Sequence, residues 1–428
     1  MTKPKPNKLK KSLVASFWDG VFVTCAGGMT TDYFTPYALA LQATTRQIGV
    51  LSAFLSLPTS LIQLKTADVT EKLKSRKKII TTVAFLQVLA GIPIILVPYL
   101  FKQHQVTFYI IFVTIFAALG AFSSPALSSL LADQIPPKTR GKYYAWRNWV
   151  LSIVSVASTF VAGSILSIFK NNVLRGFLIL FTLAIACRFI SWFFLTRMYE
   201  PAFKVKHDAY FSLFDFIRGA RESNFGRFVI YASAFIFCIN IASPFFSVFM
   251  LRDLKFSYLT YTVLIASVTV SSIYAFSRWG KHSDRAGNIK VVRLASFFIA
   301  GLPLWWVINR QVPFLVLAQV VSGFAWAGYN LCATNFIYDA VSPQKRVRCI
   351  AIFNVFMGVA GCGGALIGGY IAPLMPKLFG YRLLSLFVFS SFLRFCVVFF
   401  LSRKIREVRT VDNISIKKLL CGVIGISK

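Results

Sequence analysis

The chain has 428 residues, of which 57% are hydrophobic and only 14% charged, and its mean hydropathy is +0.67. An ordinary soluble domain carries roughly 45–50% apolar and 25% charged residues, so that class is excluded, and 16% aromatic residues exclude a disordered chain. The net charge of +33 points to a nucleic-acid binder only if the basic residues gather on one face.

A helix needs about 20 mainly apolar residues to cross a bilayer. About twelve such stretches follow one another, at 13–41, 47–64, 79–101, 106–132, 145–169, 174–198, 226–251, 257–279, 291–309, 312–340, 349–375 and 381–402. None alternates with the period of two expected of barrel strands, so the expected fold class is an all-α polytopic membrane protein with twelve transmembrane helices. With the N-terminus inside, about 35 of the 47 basic residues fall on inner loops and tails and about nine on outer loops. The charge therefore reads as topology rather than nucleic-acid binding, with both termini cytoplasmic in a multi-pass inner-membrane protein. The basic start, Met1 to Lys11, leads into a stretch that contains Asp19 and is too polar for a cleaved signal peptide.

Polar groups at membrane depth are costly and mark functional candidates. Helix one holds two. Asp19 reads either as a substrate or proton residue or as an interfacial group paired with a basic residue. Asp32 lies in Gly27-Gly28-Met29-Thr30-Thr31-Asp32-Tyr33-Phe34-Thr35-Pro36, where glycines and a proline favour a bent, partly open helix. It reads either as a cation or proton site or as an outer-mouth residue. Asp133 ends helix four, Arg140 follows it, and Arg147 starts helix five, where it is expected to meet Asp133 or Asp68. Arg188 lies inside helix six and Arg394 inside helix twelve; both are expected to anchor those helices. Asn240 lies in helix seven, Trp326 and Asn330 in helix ten, and Asp339 and Arg346 flank the next loop.

A shift of 206 residues aligns Asp133 with Asp339, Pro137 with Pro343, Arg140 with Arg346, Asn148 with Asn354, Gly163 with Gly369 and Arg188 with Arg394. The expected architecture is two six-helix repeats of the same orientation. Residues 1–199 form the first bundle, 200–225 a cytoplasmic linker, 226–402 the second bundle and 403–428 a tail. Within the linker, Phe211 to Arg221 has the pattern of a short amphipathic helix. In helix eleven, Gly364 and Gly368 form a small-xxx-small seam suited to close helix packing.

Two loops carry a family resemblance. Between helices two and three stands Ala67-Asp68-Val69-Thr70-Glu71-Lys72-Leu73-Lys74-Ser75-Arg76-Lys77-Lys78, and between helices eight and nine Gly280-Lys281-His282-Ser283-Asp284-Arg285-Ala286-Gly287-Asn288-Ile289-Lys290. These resemble the G-x-x-x-D-R-x-G-R-[KR] loop of the major facilitator superfamily, in the two places where its twelve-helix members carry it. The second copy keeps Gly280, Asp284, Arg285 and Gly287; the first departs, with Val69 at the arginine position and about three extra residues before Arg76. The resemblance implies a gating role for Asp68, Arg76, Lys77, Gly280, Asp284, Arg285 and Gly287. In chemical terms, a carboxylate at a helix end makes charge-assisted pairs in one conformation that break in the other. The family's cavity is lined by helices one, four, seven and ten, which brings Asn240, Trp326 and Asn330 forward as candidate substrate contacts.

The expected function is a secondary active transporter that moves a small solute by alternating access, with protons as the candidate coupling ion. A multidrug or metabolite efflux antiporter and a non-transporting receptor or scaffold of the same fold stay open. Helix five has Val161-Ala162-Gly163-Ser164 in place of the glycine–proline motif often associated with antiport, which weighs against drug-type antiport. His104, His207 and His282 stand apart, eight cysteines lie singly, and no nucleotide-binding or hydrolase motif occurs. The expectation is no enzyme, no cofactor and no metal; the partners are a small-molecule substrate and the lipid bilayer, and the chain is a monomer that binds no nucleic acid.

Overall fold

A computed structural model describes residues 6–201, 218–219, 222–342, 345–412 and 415–424. The amphipathic helix expected over Phe211 to Arg221 falls outside the described residues except at 218–219. Six long helices form the first half: α1 (Pro6–Thr30), α2 (Thr45–Leu73), α3 (Arg76–Leu100), α4 (Gln105–Gln134), α5 (Pro137–Ile168) and α6 (Val173–Thr196). The second half has α7 (Asn224–Asn240), α8 (Tyr258–Ala286), α9 (Asn288–Ile308), α10 (Val312–Ala340), α11 (Arg346–Ile371), α12 (Arg382–Leu401) and a short α13 (Ile416–Ile424). Among the described residues, twelve spans are long and apolar enough to cross a membrane. Only 22% to 50% of each span's most apolar window is buried, so much of the apolar surface faces outward, as a lipid solvent requires and water does not permit.

Local chemistry sets the helix ends. At the start of α2, Thr44 Oγ1 accepts from the Gln47 amide at 3.3 Å while Gln47 Oε1 accepts from the Thr44 amide at 2.9 Å, a reciprocal capping box. Ser75, Asn172 and Ser223 cap α3, α6 and α7 by accepting a first-turn amide. Gly287, with φ of +91°, turns the chain from α8 into α9 in a conformation open mainly to glycine. Arg140 Nη2 donates to Ala132 O at 2.6 Å at the end of α4, and Arg346 Nη2 donates to Tyr338 O at 2.9 Å at the end of α10. The two arginines, 206 residues apart, satisfy carbonyls left without partners at equivalent helix ends.

The chain folds as two compact units, Met1–Lys206 with Ser247–Thr262, and His207–Phe246 with Val263–Lys428. In the first, α1 packs on α5 and α6, α3 on α4 and α6, and α2 on α4. In the second, α7 packs on α11 and α12, and α9 on α10 and α12. The pairings of α1 with α5 and α6, and of α3 with α4 and α6, thus recur six helices later, which is the structural form of the sequence repeat. On α11, a Cβ added to Gly364 would strike Phe237 O, and one added to Gly368 would strike Ile241 O, so the glycine seam seats α11 against the carbonyls of α7 and the turn after it. The core of the second unit joins Phe228, Tyr231, Trp279 and Phe336 to Leu419 and Val423 of α13, so the amphipathic tail helix is part of that core.

Candidate functional site

Helix one does not run straight through. It gives way at Thr30 to a 3₁₀ turn, Thr31–Tyr33, and resumes as Phe34–Ala40. Gly27 and Gly28 weaken the helix before the break, Thr30 Oγ1 turns back to Ala26 O at 2.8 Å, and Pro36 has no amide to offer. Asp32 sits in the break. Its backbone is pinned from both sides. Tyr261 Oη donates to Asp32 O at 2.7 Å; the adjacent Tyr33 Oη donates to Thr159 O at 2.9 Å and shares a 2.7 Å hydrogen bond with Thr262 Oγ1. Among the described residues, no side chain hydrogen-bonds to the Asp32 carboxylate and no cation pairs with it. Tyr33 itself is fully buried and serves as packing and anchor rather than as an open stacking surface.

Asp19 stands in the opposite circumstance. Ser191 Oγ donates to Asp19 Oδ1 at 2.6 Å, and Arg188 Nη1 donates to Ser191 Oγ at 2.6 Å. Arg188 Nε donates to Gln87 Oε1 at 2.7 Å, and Gln87 Nε2 to Phe116 O at 3.0 Å. Asp19 and Arg188 are both buried, so this chain ties α1, α3, α4 and α6 together through a fully desolvated network. Arg394, at the equivalent place in α12, is also buried. It donates from Nε to Ser390 Oγ at 3.1 Å, from Nη1 to Ile299 O at 3.1 Å and from Nη2 to Ile239 O at 3.2 Å. Its charge is solvated by oriented dipoles of α7, α9 and α12.

The loop charges assemble differently in the two units. In the first, buried Arg76 places Nη1 2.6 Å from Asp133 Oδ2 and 3.0 Å from Ser129 Oγ. The Arg76 amide donates to Glu200 Oε1 at 2.6 Å, and Ser75 Oγ to Glu200 Oε2 at 2.6 Å. Asp133 is therefore held by Arg76 and not by Arg147, because α3 starts beside the end of α4 whereas Arg147 lies further along α5. Arg147 Nη2 donates to Ser16 O at 3.5 Å and lies against Gly20 on α1. The side chain of Asp68 lies outside the described residues; Lys77 is half-buried one residue beyond Arg76.

In the second unit, Asn288 occupies the start of α9 and Nδ2 donates to Asp339 Oδ2 at 2.8 Å. The positive charge comes from the tail. Arg409 Nε lies 2.7 Å from Asp339 Oδ2, and its Nη1 lies 3.6 Å from Asp284 Oδ1. Hydrogen bonding to Asp339 holds the Arg409 guanidinium above its ordinary pKa. Glu407 Oε2 accepts the Ile289 amide at 2.8 Å and lies where a Cβ on Gly287 would fall. Arg285 is exposed, and its carbonyl accepts the Asp412 amide at 3.0 Å. Gly280 is half-buried, and a Cβ there would meet only Leu331 at an ordinary 3.8 Å.

Of the expected cavity residues, Asn240 is half-buried and turned back on its own helix, donating to Ile236 O at 2.9 Å. Trp326 meets Tyr329 edge to face at 5.7 Å, and Asn330 is exposed. Sequence reasoning did not single out Glu200, Glu407, Arg409, Gln87, Ser191 or Tyr261 as site residues. The acids carried a signal: Glu200 and Glu407 follow α6 and α12, one residue off the repeat offset.

The sequence model of the Major Facilitator Superfamily matches residues 17–365 and 279–422. Among curated proteins, the vacuolar membrane amino acid uptake transporter fnx2 of Schizosaccharomyces pombe is 24% identical over 178 residues, 40% of this chain and 30% of that protein. The multidrug resistance protein fnx1 of the same yeast is 28% identical over 116 residues, 27% of this chain and 21% of that protein. The matched regions thus span less than a third of each relative's length. Among solved structures, a point mutant of the nucleoside transporter NupG superposes with a TM-score of 0.71 at 14% identity, covering 92% of this chain and 99% of that one. A bacterial homologue of the human lysosomal transporter Spinster, inward-facing and unoccupied, gives 0.67 at 13% identity, covering 94% and 98%. A bacterial homologue of the iron transporter ferroportin gives 0.66 at 13% identity, covering 94% and 100%. At these identities the structural likeness concerns the fold.

Proposed function

The chain belongs to the Major Facilitator Superfamily, and from that premise we propose that it is a secondary active transporter moving a small solute across the cytoplasmic membrane by alternating access. In this reading Asp32 carries the coupling proton, both termini are cytoplasmic, and the working unit is a monomer in the lipid bilayer.

The observation that supports Asp32 is the contrast between the two acids of helix one. Asp19 has a buried network that engages Oδ1 of its carboxylate and links it to Arg188, which suits a structural part. Asp32 has no described counter-ion, and it stands in a backbone break rather than in a continuous helix. An unpaired carboxylate at membrane depth is costly when ionised and cheap when protonated. Protonation therefore changes the relative free energies of conformations that differ in how far Asp32 is exposed to water, which is what coupling requires. The loop pairs Arg76–Asp133 and Arg409–Asp284 are suited to bias one conformation, since the first joins two helix ends and the second joins the tail to the end of α8.

The test uses purified protein in proteoliposomes loaded with a pH-sensitive dye and challenged with panels of L-amino acids and nucleosides, the solute classes named for fnx2 and NupG. Addition of a transported solute moves protons with it, and the dye responds. A non-transporting receptor or scaffold of the same fold gives binding without any flux, and a uniporter gives solute flux with no dye response.

A further inference from the structure

We propose that the crevice between the start of α7 and the end of α12 binds the phosphate headgroup of an anionic phospholipid. The crevice is a cavity of about 380 Å³ lined by Arg227, Ile230, Leu401 and Lys404. Its polarity is layered. The spans begin at Asn224 and end at Lys404, so Arg227 and Lys404 stand near one membrane boundary. Ile230 and Leu401 each lie three residues further into the span, roughly 4.5 Å deeper at 1.5 Å per residue. Two cations at headgroup level above an apolar wall match a lipid phosphate with the first carbons of its chains below.

Two polar contacts outside the lining hold the walls. Asn224 Nδ2 donates to Arg406 O at 2.7 Å, and its Oδ1 accepts the Arg406 amide at 2.9 Å, which joins the start of α7 to the segment after α12. Arg293 Nη2 donates to Ser402 O at 3.0 Å and Ile405 O at 2.7 Å, which holds the turn that carries Lys404. The surroundings are basic. Arg403 lies 4.0 Å over the Phe399 ring and Arg406 is exposed. Of the two acids nearest in sequence, Glu222 is exposed and Glu407 is engaged by the Ile289 and Val408 amides. Basic crevices between helices at the membrane boundary favour anionic headgroups over zwitterionic ones.

The experiment is native mass spectrometry of the full chain after exchange with equal amounts of phosphatidylglycerol and phosphatidylcholine. The wild type retains phosphatidylglycerol selectively. Arg227→Gln with Lys404→Gln lowers that retention by roughly tenfold, while Lys72→Gln with Lys74→Gln, at exposed positions on α2 and just after it, leaves it unchanged. Lys404→Gln alone, also at an exposed position, lowers retention several-fold and guards against misfolding of the double variant. Equal retention of the two lipids by the wild type, or of phosphatidylglycerol by the wild type and by both variants that lack Lys404, overturns the proposal. So does displacement of the retained lipid by free glycerol phosphate, which assigns the crevice to a soluble anion.

Discussion

Arg188 reaches Asp19 only through Ser191, whose Oγ accepts from Arg188 at 2.6 Å and donates to Asp19 at 2.6 Å. A serine in that position lets a buried carboxylate and a buried guanidinium share one hydroxyl, and each depends on the other for solvation. Arg188→Met leaves Asp19 charged and uncompensated, at a cost of about 3–5 kcal/mol. Asp19→Asn keeps an acceptor for Ser191 but leaves the buried Arg188 guanidinium without its counter-charge, at a comparable cost. Thermal unfolding in detergent checks this through the double variant, which is expected to lose much less than the sum of the two single variants. Additive losses would show that the two charges are independent.

The two loop clusters differ in solvation. The Arg76 side chain is 2% exposed, whereas Arg409 is 40% and Asp284 71% exposed. Arg76→Gln is expected to cost about 2–3 kcal/mol, allowing for the half-exposed Asp133. Arg409→Gln costs under about 1 kcal/mol, and its effect fades in high salt. Melting curves at two ionic strengths separate them, and a larger, salt-insensitive loss for Arg409→Gln contradicts the assignment.

Glu200 and Glu407 each accept a first-turn amide, of α3 and α9 respectively. Alanine at either position removes the acceptor and costs about 1 kcal/mol, whereas glutamine, which keeps an oxygen, costs less. Equal losses for alanine and glutamine would assign the effect to charge rather than to capping. Thermal unfolding of the four single variants reads the difference.

Much of the architecture was legible in the sequence because its signals are additive over many residues. Twelve apolar stretches and one repeat offset specify helices and duplication without any single residue being decisive. The candidate site was legible only in part. Asp19 and Asp32 look alike in sequence, both acids in one apolar helix, and what separates them is Ser191 and Arg188, about 170 residues away. Asp133 attracted Arg147 on paper because both flank one loop, but the buried neighbour is Arg76, brought in by the packing of α3 on α4. The charge opposite Asp284 comes from Arg409, beyond the last span, where hydropathy says nothing.

The glycine seam gives an internally controlled prediction. Gly368→Ala pushes a methyl into Ile241 O and costs about 1–3 kcal/mol, while Gly363→Ala meets only the Phe237 ring at 3.4 Å and costs much less. Melting temperatures of the two variants, measured side by side, check the ordering. Equal losses would mean that α11 and α7 are not packed through this face.

If Asp32 carries the proton, two modes of transport separate in proteoliposomes containing Asp32→Asn. A pH gradient drives solute accumulation only if the proton site is intact, whereas counterflow exchange of labelled for unlabelled solute needs only the solute site. Asp32→Asn is then expected to lose gradient-driven accumulation and to keep counterflow. Accumulation by Asp32→Asn at the wild-type level means that the proton travels by another group.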